Sequence, residues 1–153
     1  MITESDTVEI RQTLNEILVK LFRNINDIEE RAIQTEEYKG VTTNDMHVVE
    51  AIGLGSPKNM TAVAKSLGVT TGTLTIAVNS LVKKGFVDRV RSEEDRRVVL
   101  VSLSAKGIRA YEHHQRFHEE MIEAVVGQLT EEEKVVLEKA LRNLNNFFMD
   151  KNK

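Results

Sequence analysis

The sequence predicts a mainly α-helical fold with a small β-wing, in which helices at the two ends of the chain form a dimerisation region. Three observations lead there. Apolar residues recur at helical spacing over most of the chain, and there is one proline in 153 residues. A helix–glycine–helix pattern runs from Asn59 to Gly85. Directly after it, two strand-like runs flank the charged segment RVRSEEDRR, Arg89 to Arg97. That order of elements is a winged helix-turn-helix.

The elements follow in turn. From about Thr7 to Thr35 a long amphipathic helix carries Val8, Leu14, Leu18, Leu21, Phe22, Ile25 and Ile28. A second helix starts after Thr42, with Asp45 completing a capping-box-like pair. It carries Met46, Val48, Val49 and Ile52 and stops at the Gly53–Gly55 turn. Asn59 is a good N-cap for the third helix, whose Val63 and Leu67 share a face. Gly68 supplies the left-handed residue that ends it, Val69 is expected to plug the corner, and Thr70 caps the fourth helix. On that helix Leu74, Ala77, Val78, Leu81 and Val82 form one stripe, with Gly72, Thr75, Ile76, Asn79 and Lys83 opposite.

Gly85 ends the fourth helix. Phe86, Val87 and Val90 begin a strand, and Val98 to Leu103 is the β-branched return. Ser104 caps a helix running to about Gly127, and Thr130 with Glu133 forms a capping box for the last helix. That helix carries Val135, Val136, Leu137, Leu141, Leu144, Phe147 and Phe148. The expected organisation is a single domain over 1–153. About 42–104 forms the winged-helix reader, and about 5–35 and 105–150 form the dimerisation helices. The terminal helices hold more apolar surface than a small reader needs. An intramolecular bundle is one outlet for it; a homodimer is preferred, because two-fold readers need paired half-sites.

With 41% hydrophobic and 29% charged residues, the composition is that of an ordinary globular protein. No apolar run is long enough to span a bilayer and there is no signal-peptide pattern, so no membrane partner and a cytoplasmic location are expected. The absence of cysteine excludes disulfides, cysteine-rich metal sites and thiol-based oxidant sensing. Walker, dinucleotide-binding and nucleophile-elbow motifs are missing, and the scattered His, Glu and Asp residues show no catalytic spacing. The chain is therefore expected not to be an enzyme and to require no cofactor. A purely protein-binding winged helix is a further alternative.

The fourth helix is the type that enters a DNA major groove. Its outer face is small and polar. Thr70, Thr71, Thr73, Thr75, Asn79, Ser80 and Lys83 are the candidate DNA contacts there. Thr and Ser hydrogen-bond bases or phosphates, Asn can read adenine, and a methyl can meet the thymine methyl. An ordinary solvated helix face is the plainer alternative. On the wing, Arg89, Arg91, Arg96 and Arg97 are the candidates, since arginine suits the narrow, electronegative minor groove. A solubilising loop is the alternative for this tip. Asp95 cannot favour DNA by charge, and its expected role is to brace an arginine by a bidentate ion pair. From Lys83 to Arg97 there are two lysines and four arginines against two aspartates and two glutamates, so the segment is positive although the chain carries −3.

The signature Asp95-Arg96-Arg97, followed by Val101, Leu103, Ser104 and Gly107, resembles that of the MarR family of winged-helix regulators. The family form is D-x-R, then an apolar strand ending in L-[ST]-x-x-G. The resemblance covers nearly the whole chain. It implies a homodimer on palindromic double-stranded DNA, with Arg97 at the minor groove and Asp95 as its brace. Four segments, NDMHVVEAIG, VTTGTLTIAVNSLVKKGFVDR, RSEEDRRVVLVSLSAKG and HHQRFHEEM, resemble the fatty-acid-synthesis repressors of Gram-positive bacteria. This finer resemblance implies a repressor of fatty-acid-synthesis genes, with long-chain acyl groups on acyl carrier protein as co-repressor.

His114 and His118 are four apart and share a helix face, a common spacing for two metal ligands. With Glu29 and His47 they resemble, by position, the zinc site of streptococcal zinc-responsive MarR regulators. That resemblance implies, as an alternative, a zinc-responsive regulator of metal uptake. A Glu with three neutral imidazoles is a sensible zinc shell. A buried hydrogen-bond cluster linking the dimer arm to the reader is the other reading. In either case the effector site is expected where the first, second and fifth helices meet, away from the DNA face.

Overall fold

The computed structural model describes residues 4–151. Its elements run α1 (Glu4–Ile33), α2 (Thr43–Ile52), β1 (Lys58–Asn59), α3 (Met60–Leu67), α4 (Thr71–Lys83), β2 (Val87–Arg91), β3 (Val99–Leu103), α5 (Ala105–Val126) and α6 (Glu131–Lys151). They fall into two units, one ending at His114 and one starting at Gln115.

In the first unit the starts of α2, α3 and α4 and the end of α3 have local causes. The Thr42 hydroxyl accepts from the Asp45 N–H while the Asp45 carboxylate accepts from the Thr42 N–H, so α2 opens on a reciprocal capping box. Asn59 caps α3 by accepting from Ala62, and Thr70 caps α4 by accepting from Thr73. Gly68 takes φ 67°, a left-handed turn that ends α3 and lets α4 start three residues later. The core draws on every element of this unit except β1: Ile33, Val41, Val49, Ile52, Val63, Leu74, Val78, Leu81, Phe86, Val87, Val101 and Ala110 are at most 2% exposed.

The antiparallel sheet has the order β1-β3-β2. Val87 pairs with Leu103 and Arg91 with Val99, which makes the wing hairpin. Strand β1, which pairs Lys58 with Val101 and Asn59 with Leu100, was not expected. Two residues are too few to show any alternation, so only the β3 partner reveals it.

Other boundaries also differ from expectation. The first helix is ordered from Glu4 and stops at Ile33, two residues short of Thr35, where the chain turns and Thr35 N–H donates to the Ile33 carbonyl. Val69 does not plug the corner of the helix-turn-helix and is 39% exposed. Its N–H reaches back to the Ala64 carbonyl, and this backbone bond, rather than its side chain, closes the turn. Val98 lies just outside β3, with its carbonyl accepting from Ser92.

In the second unit, Thr130 and Glu133 exchange hydrogen bonds in the expected capping box at the start of α6. No residue of α6 is buried. Its apolar positions, from Val135 to Phe148, all lie open. The described residues contain no helix long and apolar enough to cross a membrane.

Candidate nucleic-acid interface

Helix α4 presents two unlike faces. Leu74, Val78 and Leu81 are buried, with Ala77 and Val82 packed against the core, while Thr71, Gly72, Thr73, Thr75, Ile76, Asn79 and Lys83 lie exposed and Ser80 is partly covered. Ile76 is 74% exposed, an apolar side chain with nothing to bury it in this chain. The stripe expected from spacing is the stripe observed.

The hydroxyls on this face are not equivalent. Thr70 accepts the capping bond and also lies 3.0 Å from the Thr73 hydroxyl, so it serves first to start the helix. Thr75 donates to the Thr71 carbonyl one turn back, at 2.7 Å, which leaves its oxygen lone pairs for an outside donor. Asn79 accepts from Arg89 on β2, which joins two residues that spacing alone placed apart.

At the wing tip the Arg97 guanidinium donates from Nε to Oδ1 of Asp95 at 3.1 Å and from Nη2 to Oδ2 at 3.2 Å. The Arg97 backbone N–H adds a third bond to Oδ1 at 3.0 Å. This is the fork geometry in which arginine meets a carboxylate. It holds the Asp95 carboxyl below its ordinary range, first through the Arg97 side chain and then through its backbone N–H. The Arg97 side chain remains 92% exposed, so the bracing aims it without hiding it. Arg91 lies exposed on the wing and donates to the Arg96 carbonyl at 2.9 Å. It shapes the tip, and Arg96 and Arg97 are carried on that tip.

The exit from the wing explains the L-S-x-x-G signature. The Ser104 hydroxyl donates to the Gly85 carbonyl and accepts from the Gly107 N–H, so one side chain ties the end of α4 to the start of α5. A Cβ at Gly107 would sit 2.0 Å from the Phe86 carbonyl oxygen, so only glycine fits. Two lysines that sequence reasoning passed over act here. Lys84 pairs with the buried Asp45 at 2.8 Å, and Lys106 donates to the Lys84 carbonyl with its ammonium 4.3 Å from the Phe86 ring centre.

Behind the reader, α1, α2 and α5 meet at a polar cluster. His114 is 1% exposed, and its Nε2 lies 3.3 Å from Glu29 Oε1 and 3.5 Å from Glu50 Oε1. His47 Nε2 lies 3.9 Å from the same Glu29 oxygen. Glu29 thus has two of the expected histidines, His47 and His114, beside its carboxylate. His118 stands one turn further along α5, in the second unit, with its ring against Phe117. Glu50 was missed, although it lies one turn from His47 on α2, and that spacing was the available signal. His113, outside the cluster, meets the Ala32 carbonyl at 3.0 Å and packs on Tyr38.

Comparison with known proteins agrees with this geometry. Residues 39–98 match the model of the MarR family. The chain is 39% identical to the Streptococcus pneumoniae FabT chain of a crystal structure in complex with DNA, with a TM-score of 0.86, covering 92% of this chain and 98% of that one. It is 30% identical over 107 residues to the HTH-type transcriptional regulator BilQ of Clostridium symbiosum, spanning 69% of this chain and 74% of BilQ. It is 24% identical over 130 residues to YhjH of Bacillus subtilis, an HTH-type transcriptional regulator without an assigned role, spanning 83% of this chain and 74% of that protein. These relatives are regulators rather than enzymes. A capped helix-turn-helix, a braced arginine wing and a likeness that runs almost end to end lead to one conclusion: the chain belongs to the MarR family of DNA-binding transcriptional regulators.

Proposed function

We propose that this regulator represses fatty-acid-synthesis genes by binding palindromic operators as a homodimer, with long-chain acyl groups on acyl carrier protein as co-repressor. The observation that carries the reading is the 39% identity over 98% of the FabT chain. It agrees with the sequence resemblance to fatty-acid-synthesis repressors across both the reader and α5. The open apolar faces of α1 and α6 support the homodimer, since a second copy is the partner that a two-fold operator requires.

A ligand regulates such a protein only by favouring one spacing of its two reading helices. The junction of α1, α2 and α5 is where that spacing is set. One specific observation there favours a second reading, a zinc-responsive regulator. The Glu29, His47 and His114 donor atoms are 3.3 and 3.9 Å apart across the shared carboxylate oxygen. Ligand atoms around tetrahedral zinc stand on the order of 3.3 Å from one another, a spacing that the Glu29–His114 pair matches. The two states of His114 exclude each other. A hydrogen on Nε2 serves the two carboxylates, and a bare Nε2 serves a metal.

The test measures affinity for a palindromic duplex from a fatty-acid-gene promoter, at two salt concentrations, with acyl carrier protein in free and long-chain-acylated forms. Tighter binding with the acylated form alone is expected, together with a marked loss of affinity at the higher salt. Tightening or loosening by zinc instead, abolished by His118→Ala or His114→Ala and reversed by acid, would transfer the role to the metal. No response to either effector would remove both assignments.

A further inference from the structure

Asn79 and Arg89 come from different elements and meet across the DNA-facing side of the reader. Asn79 stands on the outer face of α4, and Arg89 sits in the middle of β2, opposite Val101 of β3. Arg89 Nη2 donates to Asn79 Oδ1. Chemistry fixes the direction of this bond. A guanidinium has donors and no acceptor, so the amide must turn its oxygen, and not its nitrogen, toward the wing strand. An amide is planar with its two ends on opposite sides, so the NH2 group points the other way. Because the donor is charged, this bond is stronger than a neutral one and holds the orientation. A free Asn amide turns easily about its last torsion, which is broad and two-fold, and offers either end.

The two ends read different bases. In the major groove guanine and thymine present keto oxygens, which accept, whereas adenine and cytosine present amino groups, which donate. Bidentate reading of adenine needs the Asn oxygen aimed at the base together with its nitrogen, and here the oxygen is turned toward the wing strand. We propose that Arg89 is a specificity-determining positioning residue: it holds the Asn79 carbonyl so that the amide reads as a donor, selecting a keto base over an amino base at one position of each half-site. This rests on α4 being the DNA-reading helix. Every base pair contains one keto and one amino base, so the selection is between T·A and A·T, or G·C and C·G. The Arg89–Asn79 pair therefore sets the orientation of a base pair that a charge-only contact could not distinguish. It also reassigns both residues, since the sequence alone suggests an adenine-reading Asn79 and a minor-groove Arg89.

The test uses the full-length protein. A randomised duplex pool yields the preferred site, and competition binding then compares all single-base-pair variants of that site for wild type, Asn79→Ala, Asn79→Asp and Arg89→Ala. Circular dichroism confirms that each exposed-site variant is folded. Asn79→Ala locates the position by flattening its preference. At that position wild type should prefer the keto base, and Arg89→Ala should reduce the keto-over-amino ratio about tenfold while other positions keep theirs. Asn79→Asp still pairs with Arg89 but has no donor, so its preference should reverse toward the amino base. A wild-type preference for adenine there overturns the proposal, as does a uniform affinity loss in Arg89→Ala with the preference intact. A wild type that selects no sequence at all removes the DNA-reading role of α4 itself, and that result is distinct from the other two.

Discussion

Phe86 and Phe147 are the same side chain in opposite circumstances. Phe86 is 1% exposed, packed under Tyr38 and capped by the Lys106 ammonium, whereas Phe147 on α6 is 55% exposed and touches its neighbour Phe148. The contrast extends to their regions. From Val41 to Ala110 the large apolar side chains mostly reach one core, while on α6 none does, and the first turns of α1 leave Val8, Ile10 and Leu14 open. The reader carries its own hydrophobic stability. The terminal helices carry open amphipathic surface, and burial of apolar area is the main force for association. Stability of the reader should therefore be a property of one chain, and that of the arms a property of concentration.

The largest test of that contrast is truncation after Leu137. It should abolish both the dimer and operator binding while the reader keeps its helical signal. A truncated protein that sediments as a dimer would end the assignment of α6 to the interface.

Next comes the phenylalanine pair itself. Phe86→Ala should cost about 3–5 kcal/mol of unfolding free energy at every protein concentration. Phe147→Ala should leave the folding of the chain nearly unchanged and raise the dimer dissociation constant. Chemical denaturation across a dilution series separates the two. Equal and concentration-independent losses would show that α6 is packed within one chain.

A smaller effect is expected at the wing. Arg97→Ala should weaken operator binding by about 1–3 kcal/mol per half-site with no change in fold. Unchanged affinity at matched salt would remove Arg97 from the minor groove.

The smallest is a titration. The folded Asp95 carboxyl sits below its ordinary 3.8, so the brace is fully present above that value and is lost as pH falls through the lowered one. Across the neutral range it should contribute no pH dependence to DNA binding. A carboxyl titration followed by NMR should place Asp95 below 3.8, and Arg97→Ala should return it toward that value. An ordinary value in the wild type would mean that the fork is not held in solution.

Much of the reader was legible from local chemistry. Thr42, Asn59, Thr70, Ser104 and Thr130 announce their helices, because capping is decided within three or four residues of chain. The inward stripe of α4 follows from a period of 3.6, and the Asp95–Arg97 fork spans two residues. The remainder depends on segments distant in sequence. Strand β1 exists because Lys58 and Asn59 meet β3 more than forty residues later. Val69 looks like a corner plug from its position and is left outside by the backbone bond that closes the turn. Gly107 reads as a motif residue until the Phe86 carbonyl is found where its Cβ would stand.

The sequence by itself thus determined the order of elements, their caps, the polar face of α4 and the braced wing, since each is written in neighbours along the chain. Only the tertiary structure decided that Arg89 holds Asn79, that Glu50 joins Glu29 around His114, and that no residue of α6 is buried. The physical reason is the same in each case. A hydrogen bond, a buried polar cluster and an apolar face are completed by whatever arrives from elsewhere, and local periodicity carries no record of the partner.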